Sequence, residues 1–233
     1  VNTFISALLF RLGNVKKNIG YNREGRGFLL DFSPEINYHK HYINRYAFLF
    51  NEYIGNKYVY LPELSLRYTG QKTFQFDNSH KTIALYLGGE NKEFRKYPDE
   101  YAVQLLRLLN RQGYNLLLIG DENDNIKHTQ YAEEARIDHL INLTARTTIE
   151  GFINTIANVD LIITIDSSAL HIAAAVKTPF IALMGLSTSP TSTILPKVPL
   201  GRILKIENNL IREEDYIRNI TPDLILKTIS ELI

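Results

Sequence analysis

An aspartate, two serines and a histidine fall within one short stretch, at Asp166, Ser167, Ser168 and His171. They stand where an apolar, β-branched run (residues 161–165) gives way to a helix-like segment of small residues (169–176). A carboxylate, two hydroxyls and the free N–H groups of a helix start suit the binding of a phosphate. The same residue types are also favoured helix caps, and the two roles are compatible. Ser168 lacks the G-x-S-x-G surroundings of a hydrolase nucleophile. A protonated His171 would sit well to offset charge on a leaving diphosphate. The alternative is a histidine that only packs.

A second group begins at Gly88-Gly89, which closes an apolar run over 83–87. Glycines there let the backbone approach a ligand and present its N–H groups. Lys92, Arg95 and Lys96 follow, and together with the glycines could hold a diphosphate. The competing reading is a tight turn beside a solvated run of charge. The pattern is neither G-x-G-x-x-G nor a Walker loop. Asp121-Glu122 follows the apolar run 115–119, placed to accept hydrogen bonds from a ribose or base, or to remain solvated. Thr147 and Glu150 have capping-box spacing. The histidines at 39, 41, 80, 128 and 139 show no metal-ligand spacing.

These groups need elements to position them. From residue 81 onward, apolar runs alternate with helix-like segments. Strands are expected at 83–87, 115–119, 139–143, 161–165, 180–184 and 202–206. Helices are expected from Pro98 to Gly113, over 125–135, from Thr147 to about 158, over 169–176 and over 223–232. Such alternation implies an α/β fold with a doubly wound parallel sheet. Ligands bind such sheets at the carboxyl ends of the strands. Residues 1–65 differ in texture, being rich in Tyr, Asn and Phe. Helices are expected over 6–12 and 41–53, and short strands at 18–21 and 28–32. Residues 66–80 are polar and aperiodic and read as a linker to a domain spanning 81–233.

Composition narrows the function. The 233 residues carry 26 Lys+Arg against 25 Asp+Glu, a net charge of +1. That balance argues against nucleic acid as a partner. With no cysteine, neither a disulfide scaffold nor a Cys-ligated zinc site is expected. No apolar run approaches the roughly 20 residues that span a bilayer. The N-terminal stretch does not read as a signal peptide. A cytoplasmic protein is expected.

The motifs resemble those of glycosyltransferase family 9, the heptosyltransferases of the lipopolysaccharide inner core. The family's D-[TS]-G-x-x-H-x-A-A-A…T-P is matched by Asp166-Ser167-Ser168-Ala169-Leu170-His171-Ile172-Ala173-Ala174-Ala175 and Thr178-Pro179. Its H-P-G-A…K-R-W-P resembles Tyr86-Leu87-Gly88-Gly89…Arg95-Lys96-Tyr97-Pro98. Its R-I-G-[YF] resembles Asn18-Ile19-Gly20-Tyr21. Three departures stand out: Ser168 for glycine, Arg95 for lysine and Tyr97 for tryptophan. Arg95 keeps the charge but replaces a point charge with a planar fork.

The resemblance implies a GT-B-like arrangement: the nucleotide-sugar-binding domain at 81–233, and in 1–65 the end of an acceptor-side domain. It implies transfer of a sugar, heptose by family, from a nucleotide-diphosphate donor to a saccharide or glycolipid acceptor, with neither cofactor nor metal. Gly88, Gly89, Arg95, Lys96, Asp121 and Glu122 become donor-binding residues, as do Thr147, Glu150, Asp166, Ser167 and Ser168. His171 becomes the group that steadies the leaving diphosphate. No residue matches the family's general base. Much of the first domain is expected to be missing, so this chain alone should bind nucleotide weakly, transfer sugar poorly and tend to self-associate. Peripheral contact with the inner face of a bacterial inner membrane fits a glycolipid acceptor. Two rival functions remain: a donor-binding fragment without turnover, and a sugar-nucleotide epimerase of similar fold.

Overall fold

The computed structural model describes residues 3–58, 64–76, 79–185, 195–196, 198–206 and 212–233. The chain divides into two units: Val1–Glu63 with Ser189–Leu195, and Leu64–Thr188 with Pro196–Ile233.

The second unit holds six strands: β1 (Thr82–Tyr86), β2 (Asn115–Leu118), β3 (Leu140–Asn142), β4 (Leu161–Ile165), β5 (Phe180–Leu183) and β6 (Gly201–Leu204). All pairings are parallel, in the order β3-β2-β1-β4-β5-β6. The four inner strands are buried along their whole length, as expected of strands covered on both faces. The edge strands β3 and β6 are partly exposed, and the exposed Arg202 on β6 blunts that edge.

The helices of this unit are α3 (Asp99–Arg111), α4 (Asn125–Ala135), α5 (Ile149–Ala157), α6 (Ser168–Val176) and α7 (Pro222–Ile229). Helix α3 packs against α4 and α7, while α5 packs against α6. Helices α3, α4, α6 and α7 pack on strands of the sheet. On α3 the apolar stripe is Ala102, Leu105, Leu106 and Leu109, all fully buried. On α6 the run Ala173, Ala174 and Ala175 is buried and lets the helix lie close to the strands. Residues 64–76 carry no helix or ladder. Their Leu66 N–H donates to the Ala175 carbonyl.

Strand order reverses between β1 and β4. Two chain segments leave the sheet in opposite directions there, which opens a crevice at the carboxyl ends.

The first unit contains α1 (Phe4–Leu12) and α2 (Tyr42–Tyr53). Thr3 and Ser6 form a reciprocal cap on α1. The strands expected at 18–21 and 28–32 are reduced to two parallel bridges, Ile19 with Phe32 and Asn22 with Glu35. Side chains take the place of a ladder. Asn18 is buried, its backbone N–H donates to Asp31 Oδ2, and its side-chain amide donates to the Ala7 and Leu29 carbonyls. Phe28 lies in a 3-10 turn, Arg26–Leu29, and is exposed. Ile5, Leu9 and Leu12 on α1 are exposed as well.

Candidate functional site

Gly88-Gly89 follows β1 and Asp166-Ser167 follows β4, so both turns border the reversal point. They touch. Gly88 has φ +80°, and a Cβ there would lie 2.7 Å from Ile165 Cδ1, the last residue of β4. A side chain at this position would crowd the end of β4 as well as strain the backbone.

The cations are carried by a closed excursion of the chain. Residues 90–95 form a 3-10 turn. The Lys92 N–H bonds the Gly89 carbonyl at its start, and the Tyr97 N–H bonds the Leu87 carbonyl at its end. Tyr97 is fully buried, and its hydroxyl donates to the Ile220 carbonyl at 2.8 Å. Arg95 is thus carried, half-buried, on a loop anchored at both ends. Lys96 takes a different place. Its ammonium pairs with Asp99 at 2.8 Å. It lines a charged cavity of about 300 Å³ with Arg212, Asp215 and Arg218.

On the β4 side, Ser167 is the N-cap of α6, with Oγ accepting the Ala169 N–H at 3.2 Å. Its hydroxyl also lies 3.0 Å from Thr164 Oγ1. Ser168 and His171 are exposed on the opening turns of α6, and Asp166 is half-buried. The packed face of the helix is alanine and leucine, so His171 belongs to the open face.

The β2 side is more tightly built than the sequence implies. Asp121 caps a 3-10 turn, Glu122–Asp124, reciprocally with Asp124. Its carboxylate pairs with Lys92 at 3.0 Å and stays about half exposed. Burial would raise the Asp121 carboxyl, but the Lys92 ammonium and the Asn123 amide outweigh it and hold it below the usual range. Lys92 also lies over the Tyr86 ring, 5.8 Å from its centre. Glu122 is exposed beside it.

The expected capping box at Thr147 and Glu150 is not formed. The cap is Thr148, whose Oγ1 accepts the Gly151 N–H at 3.1 Å. Two consecutive threonines offer the same chemistry, and the chain takes the second. Glu150 then falls in the first turn of α5, beyond reach of a cap N–H. It lines a hollow of about 490 Å³ with Arg67, Tyr68 and Ile149. Thr147 is half-buried in the loop after β3.

The sequence reading missed Asp124 and His128, both fully buried. The signal available was their i,i+4 spacing on an otherwise polar helix. Burial pushes the His128 imidazole down to about 4, against the pull of Asp124 and Asp121. Asp99 is also displaced. Burial would raise it, but Lys96, Tyr131 and Lys127 bond its carboxylate and hold it at about 2.

Both shifts make stability fall with acid. The unfolded histidine gains its proton near 6.5 while the folded one stays neutral, so its contribution is lost as pH falls from about 6.5 to 4. The Asp99 contribution is present above about 3.8 and lost as pH falls toward 2. An acid series followed by circular dichroism should show the melting temperature falling in the upper window first. His128→Gln should flatten that window alone. A melting temperature constant down to pH 4 would contradict a buried neutral imidazole.

Among the described residues, no group of three or more His, Cys, Asp or Glu could hold a metal ion. Also among them, no helix is long and apolar enough to cross a membrane.

The model of glycosyltransferase family 9 (heptosyltransferase) matches residues 1–214. The chain belongs to that family. Lipooligosaccharide heptosyltransferase 2 of Haemophilus influenzae is 31% identical over 158 residues, 63% of this chain and 45% of that protein. Lipopolysaccharide heptosyltransferase 2 of Salmonella typhimurium is 23% identical over 263 residues, covering all of this chain and 73% of that one. The chain spans about half the length of several curated relatives that it matches.

Solved structures of family members share the fold. E. coli ADP-heptose LPS heptosyltransferase II superposes with a TM-score of 0.82 at 22% identity, over all of this chain and 74% of that one. E. coli heptosyltransferase WaaC with ADP-2-deoxy-2-fluoro heptose gives 0.70 at 17%, over 98% of this chain and 69% of that one. The α/β fold expected from the alternating runs is thus the fold found, and it is of the GT-B kind.

Proposed function

We propose that the second unit binds the nucleotide-diphosphate donor of a sugar transfer to the lipopolysaccharide core. The observation that carries this reading is that β1 and β4 are neighbours at the point where strand order reverses, so that the Gly88-Gly89 turn and the start of α6 follow adjacent strand ends. Backbone N–H groups, the α6 dipole, Arg95 and His171 supply positive potential there without a metal. In the transfer, the bond between the anomeric carbon and the diphosphate oxygen breaks. The acceptor hydroxyl oxygen bonds that carbon and gives up its proton to a base that no residue of this chain is assigned to be. The names of the family relatives support heptose as the sugar and ADP as its carrier. On this reading the site works in the cytoplasm, at the inner face of the inner membrane where a glycolipid acceptor resides. The apolar residues exposed on α1 support self-association of the chain.

Calorimetry with ADP, followed by an assay with ADP-heptose and a core acceptor, tests the proposal. ADP is expected to bind weakly, and whatever release of ADP from the donor occurs is expected to require acceptor and to persist in EDTA. Interconversion of the free sugar nucleotide without acceptor would favour an epimerase instead. ADP binding with no transfer would mark a donor-binding piece.

A further inference from the structure

Three loops leave the carboxyl ends of β1, β2 and β3, and a buried set of polar side chains holds them together. Asp124 Oδ2 accepts the Asp121 N–H at 3.0 Å. The same carboxylate fills the space beside both glycine turns. A Cβ on Gly120 would lie 2.8 Å from Asp124 Oδ2, and one on Gly89 would lie 2.9 Å from Oδ1.

One helical turn on, His128 Nδ1 and Thr144 Oγ1 are hydrogen-bonded at 2.8 Å. Thr144, also fully buried, ties this imidazole to the loop after β3. The next residue, Ala145, is held at φ +59°, a conformation that favours glycine, and its N–H donates to the Gly120 carbonyl. The Tyr86 ring stands edge-on to His128, with ring centres 6.5 Å apart. Its hydroxyl donates to Asp121 Oδ2 at 3.4 Å.

Asp124 Oδ1 and His128 Nε2 are buried without a hydrogen-bond partner among the described residues. A core selected for stability alone would place apolar side chains here. Such departures from good packing are expected where a site needs a fixed shape.

We propose that Asp124 and His128 are positioning residues for the donor nucleotide. They set the Gly89 turn, the Asp121 loop and the loop from Thr144 to Thr147 at fixed places around the crevice. Neither touches the ligand, so loss of either loosens binding in a protein that still folds. The inference rests on the donor-site reading above.

Thr144→Val and Thr144→Ser separate the two possible roles. Valine fills the same space but cannot bond His128, whereas serine keeps the hydroxyl. Well below both melting temperatures, calorimetry is expected to show the Kd for ADP raised about tenfold in T144V. In T144S it should stay within about twofold of the parent. Asp124→Asn, which keeps shape and removes charge, is expected to weaken ADP as T144V does, and it serves if T144V does not fold. A lower melting temperature with an unchanged Kd in both T144V and D124N would overturn the proposal alone. No ADP binding by the parent chain would overturn the donor-site reading, and this inference with it.

Discussion

Replacing His171 by alanine is expected to lower turnover about 100-fold while moving the melting temperature by no more than about 2 °C. The two effects separate because of where the residue sits. His171 is on the exposed face of α6, whose packed face is Ala169, Leu170, Ala173 and Ala174. Alanine is the best helix former, so the helix itself is not weakened. On the proposed donor-site reading, what is lost is an imidazole one turn from the capped helix start, where charge would gather as the diphosphate departs. Removing one such donor typically costs about 10²–10³ in rate. His171→Gln, which can still donate, should lie between. A fall in melting temperature with activity tracking the folded fraction would assign His171 to packing.

Gly89→Ala is expected to damage both the fold and donor binding. A Cβ at this position would lie 2.5 Å from the Asn123 carbonyl oxygen and 2.7 Å from Asp124 Cα. Both are backbone atoms of a reciprocally capped turn, so no flexible side chain can yield. The β1 turn and the β2 loop must move apart. Overpacking of this kind costs about 1–3 kcal/mol, which in a domain of this size lowers the melting temperature by about 2–12 °C. On the proposed donor-site reading, the movement also displaces the Gly88-Gly89 backbone N–H groups offered to the donor, and ADP affinity should fall at least about tenfold. Gly70→Ala is a suitable control. Gly70 has φ +77° but nothing within 4 Å of its would-be Cβ, so it carries strain without a clash. Equal ADP affinities in the Gly89 and Gly70 variants would show that the turn does not shape the site.

Much of the second unit was legible because its signals are local. Buried parallel strands read as unbroken apolar runs, such as 161–165, and Gly88-Gly89, Gly113 and Gly120 mark where they and the helices stop. Those same marks placed the two turns at the same end of the sheet, and the family motifs agreed with them. What escaped depends on contacts distant in sequence, or on a choice between equal neighbours. His128 lies on a polar helix and reads as solvated; only the fold buries it against Tyr86 and Thr144. Asp124 looks like one more loop carboxylate in a run of polar residues. Lys96 reads as part of a phosphate-binding cluster, but its ammonium rests on Asp99, which Lys127 and Tyr131 also bond from α4. Thr147 and Thr148 are equivalent as caps, and nothing local chooses between them. In the first unit, 18–21 and 28–32 have strand-like composition, yet buried side-chain bonds from Asn18 and Arg26 do the work of a ladder.

The most direct test of the donor site is a structure of this chain with ADP bound. The diphosphate is expected between the Gly88-Gly89 turn and the Ser167–His171 start of α6, within hydrogen-bond reach of backbone N–H groups and of Arg95. A diphosphate bound elsewhere, for instance in the cavity lined by Lys96, Arg212 and Arg218, would contradict it.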